Sequence, residues 1–213
     1  MPLELHYIDG SPFARVVRIL AREHGVAMRE NEVVEFPPSD DFLEINPLGQ
    51  VPVLVVDGVA HFPTRIAIAA LLARVAKPAE GVAGAIARED HKAGDEQDLA
   101  VILAMGDALA AHHYAKWAGI GPVGRNRLGF DPTERNMLRA LRALDWLEKR
   151  LQDARFQPGR VSVQDIALAA VILWTESRGA IAWRGRPQLE RLVGGLAGRT
   201  SFVATAPRPL ELK

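Results

Sequence analysis

Asn46-Pro47-Leu48-Gly49-Gln50-Val51-Pro52-Val53-Leu54 is the stretch on which the reading of this chain turns. A turn built from Asn-Pro and Leu-Gly leads through Gln50 into Val51-Pro52 and straight on into the apolar run Val53-Leu54-Val55-Val56. Proline cannot donate to a sheet ladder, so Pro52 at the first residue of a strand has two readings. In one, the Val51–Pro52 peptide is cis, as X-Pro bonds in tight turns can be. The bend then leaves the Val51 N–H and C=O to an extended, peptide-like ligand. In the other, Pro52 is an edge-strand proline in an ordinary turn. The residues alone leave both open.

Toward the N-terminus, Leu3 to Ile8 alternates loosely and reads as a short strand. Asp9-Gly10-Ser11-Pro12 follows as a turn that starts a helix, with Ser11 as N-cap and Pro12 at the first helical position. Phe13, Val16, Val17, Ile19 and Leu20 keep helical spacing until Gly25. Glu32-Val33-Val34-Glu35-Phe36 reads as the next strand, and Ser39-Asp40 opens a short helix through Phe42 and Ile45. Beyond Pro52, Asp57-Gly58 signals a two-residue hairpin returning through Val59 to Phe62. Thr64 then opens an apolar helix from Ile66 to Val75. The order is βαβαββα over residues 1–77, with Lys77 to Gly81 as the linker candidate.

Residues 85–213 contain no convincing strand and read as an all-helical second domain. Ala85 to Trp117 and Pro132 to Leu151 are long helical stretches divided by the glycine-rich Gly119 to Gly124. Ser162-Val163-Gln164-Asp165 is a capping box, with Val161 and Ile166 as its hydrophobic staple, at the head of a nearly all-apolar and therefore buried helix. A shorter helix lies around Gln188 to Leu196.

Composition narrows the chemistry. The 213 residues are 48% apolar and 24% charged, ordinary for a soluble chain with a sizeable core. Lysine plus arginine equals aspartate plus glutamate, 26 against 26, so no global field favours nucleic acid or an anionic membrane. No apolar run reaches membrane-spanning length, and the start reads as neither signal nor transit peptide, so the expected compartment is the cytoplasm. There is no cysteine, which excludes a thiolate metal site and thiol-disulfide exchange by the chain itself. Any sulfur chemistry must come with a ligand. His112 and His113 are neighbours that diverge on a helix, so no metal is expected there. Arg125, Arg127 and Arg135 are too sparse for a nucleic-acid footprint. Met105, Leu109, His113 and Trp117 share helical spacing and either line an apolar pocket or pack as core.

Ser11-Pro12-Phe13-Ala14-Arg15, the Asn46–Leu54 stretch, Asp57-Gly58 and the capping box together resemble the cytosolic glutathione transferase family over essentially the whole chain. The resemblance implies an α/β, thioredoxin-like first domain with a cis proline at Pro52, followed by an all-α domain. It implies glutathione as co-substrate, no metal, a pocket between the domains for a small hydrophobic electrophile, and a homodimer. Val51 would pair its backbone with the cysteinyl part of glutathione. Gln50, Phe13, Pro63, Thr64 and Arg65 would complete the binding site.

Two hydroxyls compete to activate the thiol. The thiolate is the nucleophile, and lowering a pKa from about 8.5 by two units takes roughly 2.7 kcal/mol. One hydroxyl donor to a charged acceptor, worth about 1.5–3 kcal/mol, matches that demand. Ser11 corresponds to the serine of the tau-like Ser-Pro-Phe motif, and both capping and donating are within its valence. Tyr7 is the rival, corresponding to a strand-end tyrosine in other classes. Pro63 stands where the family usually has an acidic or amide side chain for the ligand's amino group, while Thr64 keeps the helix start for its carboxylate. Arg15, Arg65 and Asp98 are the candidates to compensate. A catalytically silent, ligand-binding or interaction module on the same fold is the alternative to the enzyme.

Overall fold

The computed structural model describes residues 3–35, 37–75, 93–179 and 181–208. A four-stranded mixed sheet organises the first part. Its strands are β1 (Leu3–Tyr7), β2 (Met28–Glu32), β3 (Val53–Val56) and β4 (Val59–His61), in spatial order β2-β1-β3-β4. β1 runs parallel to β2, and both other pairings are antiparallel. The thioredoxin-like βαβαββα order is therefore present, with α1 (Pro12–Glu23), α2 (Asp40–Ile45) and α3 (Thr64–Leu72) between and after the strands.

The second strand lies earlier than the sequence suggests. The apolar Val33-Val34 pair draws the expectation to Glu32–Phe36, yet the ladder uses the polar Met28-Arg29-Glu30-Asn31-Glu32, with Leu3 opposite Met28 and Tyr7 opposite Glu32. Side-chain pairs outweigh low β-propensity on this edge strand. Glu30 accepts from Arg18 Nε at 2.9 Å and Arg22 at 2.6 Å, and Asn31 donates to Glu4 at 3.0 Å. Val34 is left 81% exposed.

α1 is almost wholly buried from Pro12 to Ala21, where it packs against α3 and against α8 (Thr200–Val203). That last contact redraws the domains. Among the described residues, 198–208 group with 3–75 in one compact unit, and 93–197 form the other, whereas the sequence suggests 1–77 and 85–213. The linker at Lys77 to Gly81 and the helix start at Ala85 lie outside the described residues.

The second unit is a helical bundle of α4 (Ala93–Trp117), α5 (Pro132–Arg150), α6 (Val163–Arg178) and α7 (Pro187–Ala197). α6 is its core: Val163 to Ile172 is buried without a break. Its capping box is complete. Asp165 N–H donates to Ser162 Oγ at 3.1 Å, and Ser162 N–H donates to Asp165 Oδ2 at 2.7 Å. Asp165 Oδ1 also accepts from Phe156 N–H at 3.0 Å, so one carboxylate fixes both the helix start and the loop before it.

Candidate active site

Register brings three segments to one end of the sheet. His6 pairs with Val53, which places the end of β1 beside the start of β3. Leu54 pairs with His61, which places the end of β4 there too. Tyr7 to Ser11, Val51-Pro52 and Pro63-Thr64 therefore converge. Both α1 and α3 begin at this end and aim the positive poles of their dipoles toward it.

Ser11 is the N-cap of α1, with Oγ accepting from Ala14 N–H at 3.2 Å and its own N–H donating to Ile8 C=O at 2.9 Å. That bond uses one lone pair of the hydroxyl, and the O–H has no acceptor among the described residues. Phe13 follows, half-buried, in the first turn. Tyr7 is differently employed. Its ring lies under the Arg18 guanidinium at 4.4 Å, and burial, ahead of the neighbouring charges, raises its phenol pKa.

The Val51–Pro52 peptide is cis, so of the two readings of Pro52 the cis one holds. Val51 is half-buried, and neither its N–H nor its C=O makes a backbone hydrogen bond among the described residues. Pro52 itself is buried, and the Gln50 side chain is exposed.

Asn46, which the sequence presents only as part of a turn, organises the loop. It is 1% exposed at the end of α2. Its Nδ2 donates to Gln50 C=O at 2.7 Å, and its Oδ1 accepts from Leu48 N–H at 3.0 Å. Gly49, at φ +60°, closes the turn with its N–H on Asn46 C=O at 2.9 Å, and a Cβ there would meet Leu43 at 3.2 Å. The legible signal was Asn before Pro at a helix end, where the amide mimics a turn.

α3 begins where the sequence opens it, at Thr64. Pro63 is the N-cap, without a side-chain bond, and Thr64 is the first helical residue. Pro63 C=O accepts from Ile66 N–H at 2.8 Å and Ala67 N–H at 3.1 Å, whereas Thr64 N–H has no backbone acceptor among the described residues. The Phe62–Pro63 bond is a second cis peptide. Pro63 and Arg65 are exposed, and Thr64 is half-buried.

Two compensating residues are engaged elsewhere. Arg15 is 5% exposed, donates to Phe202 C=O at 3.1 Å, and is pushed down to about 10 by burial, then by the neighbouring Arg18. Asp98, 2% exposed, is held bidentately by Arg150 at 2.9 and 3.1 Å. On α4, Met105 and Leu109 are core, whereas Trp117 is 53% exposed and stacks with His113 at 6.2 Å. His112 turns to Thr133 C=O at 3.2 Å, away from His113. Among the described residues no cluster of His, Asp or Glu has the makings of a metal site, and no helix is long and apolar enough to cross a membrane.

Residues 5–67 match the family described as glutathione S-transferase, N-terminal domain. Over these residues the chain carries a glutathione S-transferase N-terminal domain. The uncharacterized GST-like protein YibF of Escherichia coli K12 is 29% identical over 205 residues, spanning 92% of this chain and 95% of that protein. Among solved glutathione S-transferases, one from Methylobacillus flagellatus KT, with GSH bound, is 26% identical at a TM-score of 0.77, covering 97% of this chain and 100% of that one. Another, from Methylobacterium radiotolerans JCM 2831 in complex with glutathione sulfonate, is 20% identical at a TM-score of 0.77 over 100% and 98% of the two chains, a likeness of fold.

Proposed function

We propose that this chain is a glutathione S-transferase family member that joins the sulfur of glutathione to a small hydrophobic electrophile, with Ser11 as the group that stabilises the thiolate. The observation that carries the reading is the Ser11 hydroxyl: one lone pair capped by Ala14 N–H, its proton without an acceptor among the described residues, and the main chain of Val51 at the same end of the sheet. The thiol proton leaves to solvent, the Ser11 O–H donates to the thiolate, and the sulfur forms its bond to the electrophilic carbon as the leaving group departs or a strained ring opens. Val51 takes the peptide part of glutathione, and Thr64 at the start of α3 takes its γ-glutamyl carboxylate, with Gln50, Phe13 and Arg65 around them. Tyr7 is assigned to packing, since its ring is covered by Arg18 and its proton is harder to give up. Ser11→Ala should lower conjugation turnover by about tenfold to a hundredfold, the equivalent of one charge-assisted hydrogen bond, and Tyr7→Phe by far less. The reverse order would move the role to Tyr7.

One set of observations favours a second reading, a catalytically silent module with weak glutathione affinity. Pro63 has no side-chain acceptor, Arg15 is turned to Phe202, and Asp98 is clamped by Arg150. The missing contact to the ligand's amino group is worth about 1.5–3 kcal/mol, a tenfold to hundredfold loss of affinity. Titration calorimetry with glutathione separates the two: submicromolar binding would contradict the weakening by Pro63, and no binding with no turnover over halogenated aromatics, epoxides and peroxides would leave the module. A cytoplasmic homodimer is the assembly proposed, checked by light scattering on the purified chain.

A further inference from the structure

The C-terminal segment attaches to α1 and the turn before it at three points. At the far end of α1, Arg199 reaches Glu23 through two bonds of 2.9 and 2.5 Å, and Ser201 Oγ donates to the same carboxylate. In the first turn of α1, Arg15 donates to Phe202 C=O at 3.1 Å, and its guanidinium lies 5.7 Å from the Phe202 ring, itself 1% exposed. Before the start of α1, Arg208 N–H donates to Asp9 Oδ2 at 2.6 Å and Arg208 Nε lies 3.4 Å from the same oxygen. The Arg208 guanidinium also bonds Glu32, the last residue of the edge strand β2.

Asp9 is one of the two residues that Ile8 and Ser11 enclose. The turn is closed by Ser11 N–H on Ile8 C=O, so the orientation of the Asp9 side chain and that of the Ser11 cap belong to one four-residue unit. Arg18 holds Asp9 from the helix side at 3.6 Å, and Arg208 holds it from the C-terminal side. Gly10, between Asp9 and Ser11, adds no side-chain packing of its own.

We infer that the Arg208 side chain is a positioning element for Ser11: by bridging Asp9 and Glu32 with its guanidinium, beside the main-chain bond to Asp9, it fixes the β1–α1 turn and so the direction of the Ser11 hydroxyl. The inference rests on the reading that Ser11 stabilises the thiolate. Arg208 touches no reacting group, so its effect belongs in the ionisation of bound thiol and in kcat, with little change in the KM for glutathione. The guanidinium is largely exposed, and an exposed pair is modest and screened by salt.

The test compares native chain, Arg208→Ala, Arg208→Lys and Ser11→Ala in a conjugation assay, with ultraviolet titration of the bound thiolate. Arg208→Ala should lower kcat by about threefold to fivefold and raise the thiol pKa, with an unchanged KM for glutathione. Arg208→Lys should recover most of the loss. Added salt should slow the native chain and leave Arg208→Ala unaffected. If Ser11→Ala loses activity while Arg208→Ala matches the native chain in kcat and thiol titration, the positioning role is wrong and the Ser11 reading stands. If Ser11→Ala keeps native turnover, the Ser11 reading itself falls and takes the inference with it.

Discussion

Replacing Asn46 by alanine tests whether the loop that presents Val51 is built the way the structure indicates. The substitution removes two hydrogen bonds at once, Nδ2 to Gln50 C=O at 2.7 Å and Leu48 N–H to Oδ1 at 3.0 Å. Each contributes about 1 kcal/mol net. The stranded Leu48 N–H and Gln50 C=O belong to exposed residues, so water reaches them and the larger penalty for a buried orphan does not apply. The side chain is 1% exposed, but it is small and polar, so the cavity adds little. The expected loss is therefore about 2 kcal/mol. Asn46→Asp separates the two bonds: its carboxylate still accepts from Leu48 but faces the Gln50 carbonyl without a proton, so it should be the worse variant at neutral pH and recover as the acid protonates. Urea unfolding followed by tryptophan fluorescence reads the stability, and hydrogen exchange at Leu48 reads the loop itself. An alanine variant within about 0.5 kcal/mol of the native chain, with Leu48 exchange unchanged, would show that Asn46 does not organise this turn.

Three further outcomes are expected. Asp165→Ala leaves the Ser162 and Phe156 N–H groups without their carboxylate and should lower stability by about 2–4 kcal/mol, seen as a shift in denaturation midpoint. Burial works to raise the Glu23 pKa, but the hydrogen bonds from Arg199 and Ser201 outweigh it and the pKa lies below 4.5. A depressed folded pKa means stability that is present above 4.5 and lost as the pH falls through the folded value. Glu23→Gln should accordingly flatten the acid limb of a thermal-unfolding profile, and an unchanged limb would refute the assignment. Arg150→Met strands the nearly buried Asp98 carboxylate and should destabilise the second unit more than Asp98→Asn with Arg150 intact, measured by proteolysis of α4.

Much of the site was legible because its determinants are local. Ser11 before Pro12, the Ser162/Asp165 box and the Asp57-Gly58 turn each need only a few neighbouring residues, and Asp57 and Gly58 do take the left-handed conformations the hairpin requires. The failures are nonlocal. β2 was misplaced because a charged edge strand is stabilised by residues of α1, and apolar spacing is blind to them. Arg15 and Asp98 looked available to a ligand because their actual partners, Phe202 and Arg150, lie far along the chain. Thr64 was legible as the opening of α3, whereas only the backbone shows Pro63 filling the cap position.

The return of residues 198–208 to the first unit bears on how this protein is made. A nascent chain that has emerged past residue 75 holds all four strands, yet α1 still lacks Phe202, and Glu23 and Asp9 still lack Arg199 and Arg208. Synthesis must reach residues 199–208 before that flank is sealed. The unit that holds the four strands is thus closed only after the helical residues 93–197 have been made.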